Sequence, residues 1–304
     1  MSEHKSTDTL ILGCGYLGIQ VAKTLVFSGT RVWAVTRNPL HADRFRRQGI
    51  LPIVADWTAP RTLSQLPSVA RILVAISYDR NSPHNRFDSQ VGGLRNLLRA
   101  TPLAANICYI STTGVYHYND GRWVDEASPC RPEQESGQAH LAAERLLHRL
   151  RPDSPWTVLR LAGIYGPGRI PRVDDVIAGR PIASPQTGYL NLIHVADAAA
   201  AAISSWQNSR QRTYVVSDDQ PVIRGDFYCT IAKQFNAPQP IFVSPPAGAA
   251  VNRRATSNKR VWNRALKRDL LPKLTYPTFV AGIQHAATRS FDCPRLGADG
   301  ASRG

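Results

Sequence analysis

The chain has 304 residues, 43% of them apolar and 19% charged, and its 37 Lys and Arg against 22 Asp and Glu give a formal charge of +15. That apolar share supports a substantial core and excludes both wholesale disorder and a collagen-like chain. No apolar run approaches the ~18 residues of a membrane span, and the polar opening MSEHKSTD reads as no secretory signal.

The first predicted strand, Thr9–Leu12, runs into Gly13-Cys14-Gly15-Tyr16-Leu17-Gly18 at the mouth of a helix over Tyr16–Ser28. A G-x-G-x-x-G at a strand-to-helix junction has a physical reason. Gly13 permits the tight turn, Gly15 lets backbone approach a pyrophosphate, and Gly18 packs helix against strand. The helix N-terminus, at Tyr16 and Leu17, then faces the phosphates. A second strand, Arg31–Val35, leads into Thr36-Arg37-Asn38. An NAD site places Asp or Glu here to accept from the ribose 2′-hydroxyl. Arg37 stands there instead, and its forked guanidinium suits a 2′-phosphate, which favours NADP over NAD. The alternative leaves Arg37 exposed on a loop. A helix over Leu40–Gln48 and a strand at Pro52–Val54 follow. Asp56 is then placed either to accept from an adenine amino group or to cap a helix.

Strands at Arg71–Ile76, Asn106–Ile110 and Thr157–Leu161 alternate with helices at Arg86–Ala100 and Glu133–Arg149. This alternation predicts an α/β protein, a Rossmann-type doubly wound parallel sheet over roughly residues 1–165 completed by part of the later chain. Beyond residue 163 the pattern is broken by Pro167, Pro171, Pro181 and Pro185. A smaller C-terminal substrate lobe is expected over 166–289, with helices at His194–Trp206, Gly225–Gln234, near Ser257–Lys267 and after Pro277, and a strand at Thr213–Val216. Residues 290–304 lack periodicity and read as a frayed tail. The basic cluster Arg253, Arg254, Lys259, Arg260, Arg264, Lys267 and Arg268 is expected to be a solvated helical face with at most one Arg meeting substrate. No nucleic-acid signature accompanies it. Cys14, Cys108, Cys130, Cys229 and Cys293 lie far apart, so neither a zinc site nor a disulfide framework is expected, and the cytoplasm is the expected compartment.

Three later segments carry a family resemblance. Tyr109-Ile110-Ser111-Thr112-Thr113-Gly114-Val115-Tyr116, Leu159–Arg169 and Asn191-Leu192-Ile193-His194-Val195-Ala196-Asp197-Ala198 stand in the order of the extended short-chain dehydrogenases/reductases. The chain resembles an atypical member of that group, the NAD-dependent epimerase/dehydratase family, over roughly residues 8–285. The resemblance implies a dinucleotide cofactor and a small polar or nucleotide-linked substrate, with Thr112 orienting the substrate carbonyl. The oligomeric state, a homodimer included, is left open.

The departures from the family are chemical. Leu12 replaces the first Gly of the usual loop, and the catalytic Tyr-x-x-x-Lys is missing. No Tyr in the chain has Lys four residues on, and no Lys lies between 23 and 233. Alignment on Leu141-Ala142-Ala143-Glu144 puts Ser136 at the Tyr and His140 at the Lys. A Ser hydroxyl is far less acidic than a phenol, so it needs a base such as His140, one helical turn away. Tyr165 is the fallback acid. Two expectations stand side by side: an oxidoreductase or epimerase-like enzyme with a nonstandard proton donor, or a catalytically degenerate NADP-binding sensor or scaffold.

Overall fold

The computed structural model describes residues 7–207, 211–243 and 257–292, and side chains through residue 288. Arg253, Arg254 and residues 293–304 of the expected tail lie outside the described residues.

Seven strands form one parallel sheet: β1 (Thr9–Leu12), β2 (Val32–Thr36), β3 (Leu51–Val54), β4 (Arg71–Val74), β5 (Asn106–Thr112), β6 (Trp156–Leu161) and β7 (Arg212–Val216). Their spatial order is β7-β6-β5-β4-β1-β2-β3. All four residues of β1 and all six of β6 are buried. Both strands lie inside a parallel sheet covered on both faces, which is why they read as unbroken apolar runs rather than alternating ones. Chain order reverses between β1 and β4, so the crevice beyond their carboxyl ends is the place where an open α/β sheet takes a ligand.

Helices α1 (Tyr16–Phe27), α2 (Leu40–Arg46) and α5 (Val195–Ser205) cover one face through Leu17, Val21, Leu25, Phe45, Ala198 and Ala202. Helices α3 (Gly93–Ala100) and α4 (Glu135–Leu150) cover the other through Leu94, Leu97, Ala143 and Leu147. A third cluster builds the C-terminal lobe, where Phe227 and Ile231 of α6 (Arg224–Gln234) and Phe279 and Ile283 of α7 (Phe279–Asp292) pack with Tyr165 and Ile182.

Two expected helices differ. The segment after Arg86 opens as a π-helical turn at Asp88–Gly92 before α3. At Gly93 the helix passes so close to Trp57 that a Cβ would lie 2.5 Å from the indole. The helix expected near Ser257–Lys267 begins only at Arg264 and runs to Asp269; Arg260–Val261 is instead a short strand parallel to Trp123–Val124. Tertiary contacts hold it extended: Asn258 Oδ1 accepts from the Tyr189 N–H at 3.1 Å, and Trp262 stacks on Trp123 at 3.9 Å. The described part of the basic cluster is therefore divided: Lys259 and Arg260 lie off the helix, while Arg264, Lys267 and Arg268 lie on it, Arg264 and Arg268 exposed as expected. Lys259 is 6% exposed, Arg260 lies over Trp123 and Tyr189, Arg264 over Trp262, and Lys267 pairs with Asp219. Among the described residues no helix is long and apolar enough to cross a membrane.

Candidate cofactor site and substrate cleft

At the end of β1, Gly13 turns the chain with φ +91°, and a Cβ there would lie 2.5 Å from the Ala75 carbonyl carbon. Gly18 lets α1 sit on that turn, since a Cβ would come 2.3 Å from the Gly13 carbonyl oxygen. At Gly15 nothing lies within 4 Å of an added Cβ. The one open position is thus the one through which a phosphate would approach backbone. Helix α1 starts immediately after it with no acidic residue in its first turn, so its N–H dipoles are not offset by a carboxylate on the helix.

A cavity of about 300 Å³ adjoins this loop, and its wall includes Gly13, Gly15, Arg37, Asp56, Trp57 and Asp79. The structure brings Gly13, Gly15, Arg37 and Asp56 together there. Asp56 does two things at once: it faces the cavity, and its Oδ1 accepts from the Thr58 N–H at 2.8 Å and the Thr58 hydroxyl at 2.7 Å. Leu17 turns its side chain into the core, leaving only its backbone for a ligand. Tyr16 points to the other lobe, donating to the Pro167 carbonyl at 3.1 Å under the Arg169 guanidinium. Burial pushes the Tyr16 phenol up to about 12, against the pull of Arg169.

Arg37 is engaged. It donates to Asp79 Oδ2 at 2.7 Å, and this bond holds the Asp79 carboxyl below its usual range. Sequence reasoning missed Asp79. Its local signal, Asp79-Arg80-Asn81, marks a turn, and only the sheet order brings that turn beside Arg37.

The second group of residues gathers where β5 meets α4. Thr112 Oγ1 accepts from the Gly114 N–H at 3.0 Å while keeping its own proton to donate. Gly137 lets the first turn of α4 press on this segment, as a Cβ there would lie 2.5 Å from the Gly114 carbonyl oxygen. Ser136 is the neighbouring residue. His140, one turn on, directs Nδ1 to the Tyr109 hydroxyl at 3.0 Å. Burial, with the Glu144 charge beside it, raises Tyr109 well above the usual phenol range. Tyr165 sits apart: it is fully buried in the C-terminal lobe, its hydroxyl donates to the Thr278 carbonyl, and its ring packs edge-on against His194.

Beneath Thr112 lies a buried polar network. Glu144 accepts from Ser111 Oγ and from two nitrogens of Arg160, at 3.1 Å (Nε) and 2.6 Å (Nη2). The third Arg160 nitrogen donates to the Tyr116 hydroxyl at 2.8 Å. Burial opposes the Arg160 charge, but the bonds to Glu144 outweigh it and raise the pKa. Arg160 and Tyr116 are therefore tied into the floor of the site. At the start of the helix Val195–Ser205, Asp197 accepts from the Thr275 and Tyr276 N–H groups at 2.8 and 2.9 Å, and His194 Nδ1 accepts from the Ala196 N–H. That motif joins the lobes. Among the described residues no group of three His, Cys, Asp or Glu could hold a metal.

The sequence profile of the NAD dependent epimerase/dehydratase family matches residues 9–217. Protein YeeZ of Escherichia coli K12 is 30% identical over 200 residues, spanning 63% of this chain and 70% of its own. A conserved protein of unknown function from Silicibacter pomeroyi superposes with a TM-score of 0.75 at 27% identity, covering 93% of this chain and 99% of that one. The UDP-glucose 4-epimerase of Thermotoga maritima, solved with UDP-glucose, shares the fold at a TM-score of 0.78 and 14% identity over 94% and 98% of the two chains. With an open glycine loop above the switch point and a profile match from the first strand to the last, this chain belongs to the NAD-dependent epimerase/dehydratase family.

Proposed function

We propose that the protein binds NADP in preference to NAD in the cavity beside the glycine loop and carries out oxidoreductase or epimerase-like chemistry on a small polar or nucleotide-linked substrate. One observation carries this reading. The loop is closed to side chains at Gly13 and Gly18 and open at Gly15, next to a cavity and an uncompensated helix N-terminus. Gly15 and the first N–H groups of α1 hold the pyrophosphate, Arg37 the 2′-phosphate, and Asp56 the adenine edge. The bound nicotinamide supplies hydride uptake and return. The substrate class draws on the Thermotoga maritima relative, whose structure contains UDP-glucose.

The chain's own groups orient the substrate and move its proton. Thr112 donates to the reacting oxygen. Ser136 and His140 occupy the places of the family's Tyr and Lys, with the imidazole held by Tyr109 and serving as the base for the Ser136 hydroxyl. Tyr165, bound to Thr278 in the other lobe, is not needed as the acid.

The missing Tyr-x-x-x-Lys favours a second reading, a cofactor-binding sensor or scaffold. Incubation with NADP or NAD and a panel of nucleotide sugars and small carbonyl compounds, followed by product separation, distinguishes the two. The enzyme reading expects turnover that falls at least tenfold in Thr112→Val and in His140→Ala. Cofactor binding without turnover across the panel would favour the sensor.

A further inference from the structure

Arg37 leaves the end of β2 and Asp79 the loop after β4, the two strands that flank β1. Their ion pair at 2.7 Å therefore crosses the crevice at the carboxyl end of β1, and both residues line the cavity beside the glycine loop. Asp79 is also fixed from its own loop: Oδ1 accepts from the Asn81 N–H at 2.9 Å, and its carbonyl accepts from the Ser82 N–H at 3.2 Å. Oδ2 is the atom presented to Arg37.

We propose that Asp79 is a cofactor-selectivity residue, whose carboxylate competes with the 2′-phosphate of NADP for Arg37 and accepts from the ribose 2′-hydroxyl when NAD binds. The proposal rests on the dinucleotide reading of the cavity. A 2′-phosphate arriving at Arg37 meets a guanidinium already bonded to a carboxylate, so it must displace Asp79 or stand beside a like charge, and either weakens binding. A 2′-hydroxyl is a neutral donor and meets an acceptor instead. NAD sites usually supply that acceptor from the end of the second strand. Here Arg37 holds that place, and the carboxylate comes from the loop after β4. The pair is half-exposed, 52% at Arg37 and 40% at Asp79, so it is weak enough to open for a phosphate. Arg37 alone would select strongly for NADP; Asp79 narrows the difference and keeps NAD as a usable cofactor.

The test is titration calorimetry of NADP and NAD against the full chain at one ionic strength, for wild type, Asp79→Asn, Arg37→Gln and the double variant. Asn keeps an Oδ1 for Asn81, so the loop is retained, and the unfolding midpoint checks this. Asp79→Asn is expected to bind NADP about tenfold tighter and NAD several-fold weaker. In the Arg37→Gln background the gain for NADP should shrink to the few-fold that relief of like charge alone supplies. An unchanged NADP/NAD ratio, or an equal change for both cofactors, overturns the proposal while leaving the dinucleotide site standing. Failure of wild type to bind either cofactor overturns the reading of the cavity and this proposal with it.

Discussion

Arg37 shows how much a single residue's role depends on what the fold puts next to it. The sequence supports a guanidinium for a 2′-phosphate; the structure adds that the guanidinium is shared with Asp79. Truncation by Arg37→Ala should lower NADP affinity by about tenfold, the ~1.5 kcal/mol low end for a hydrogen bond to a charged group, because part of the interaction is offset by Asp79. NAD affinity should change little, and calorimetry on both cofactors checks this. An equal loss for both would place Arg37 outside the 2′ position. The glycine loop was legible in the sequence because each requirement there is local: a positive φ at Gly13, contact at Gly18, open space at Gly15. Asp79 was not legible, because its meeting with Arg37 depends on the sheet order. His140 was legible as a position by alignment, but its bond to Tyr109 follows from the packing of α4 on β5.

Among the elements, α4 and β6 do most to fix the floor of the cleft. Glu144 on α4 and Arg160 on β6 are 4% and 9% exposed and make a two-point ion pair that also holds Ser111 and Tyr116. Glu144→Gln would leave the Arg160 charge buried without its counter-charge and should destabilise the fold by about 3 kcal/mol. Replacing both partners by Leu and Met should cost less than Glu144→Leu alone, since no charge is then stranded. Urea unfolding of the three variants measures this; a Glu144→Gln midpoint equal to wild type would mean that the pair contributes nothing to stability. Sequence periodicity located α4 and β6 because an apolar face or run marks each, as in Ala143, Leu146 and Leu147. It misplaced the segment at 257–263, where the Trp123–Trp262 stack and the Asn258 side chain hold an extended strand against a helical pattern.

For the whole molecule, burial displaces three ionisable groups in or beside the small lobe. Asp218 is pushed up to about 8, Lys259 down to about 8, and His194 down to about 4 with His285 adding to the effect. The raised Asp218 contributes stability that is full below its unfolded pKa near 3.8 and lost as pH rises towards 8. The depressed His194 contributes stability present above 6.5 and lost as pH falls towards 4; Lys259 behaves likewise between 10.5 and 8. Of the three, only Asp218 acts between pH 6.5 and 8, so unfolding free energy should fall by about 2 kcal/mol across that window. In Asp218→Asn the fall should disappear, and a persisting slope in denaturant titrations at the two pH values would assign it elsewhere. We propose the crevice above β1 as a dinucleotide site, and calorimetric titration of NADP into wild type and Gly15→Val checks it. Gly15 is also the N-cap of α1, at φ −83° and ψ −147°, so the unfolding midpoint of the variant is measured beside its affinity; the added Cβ itself meets no protein atom within 4 Å. It would fill the space through which a pyrophosphate reaches the backbone. Saturable one-to-one NADP binding is expected in wild type, with a loss of at least tenfold in Gly15→Val; equal affinity in the two proteins, or no binding in wild type, would mean that the crevice holds no dinucleotide.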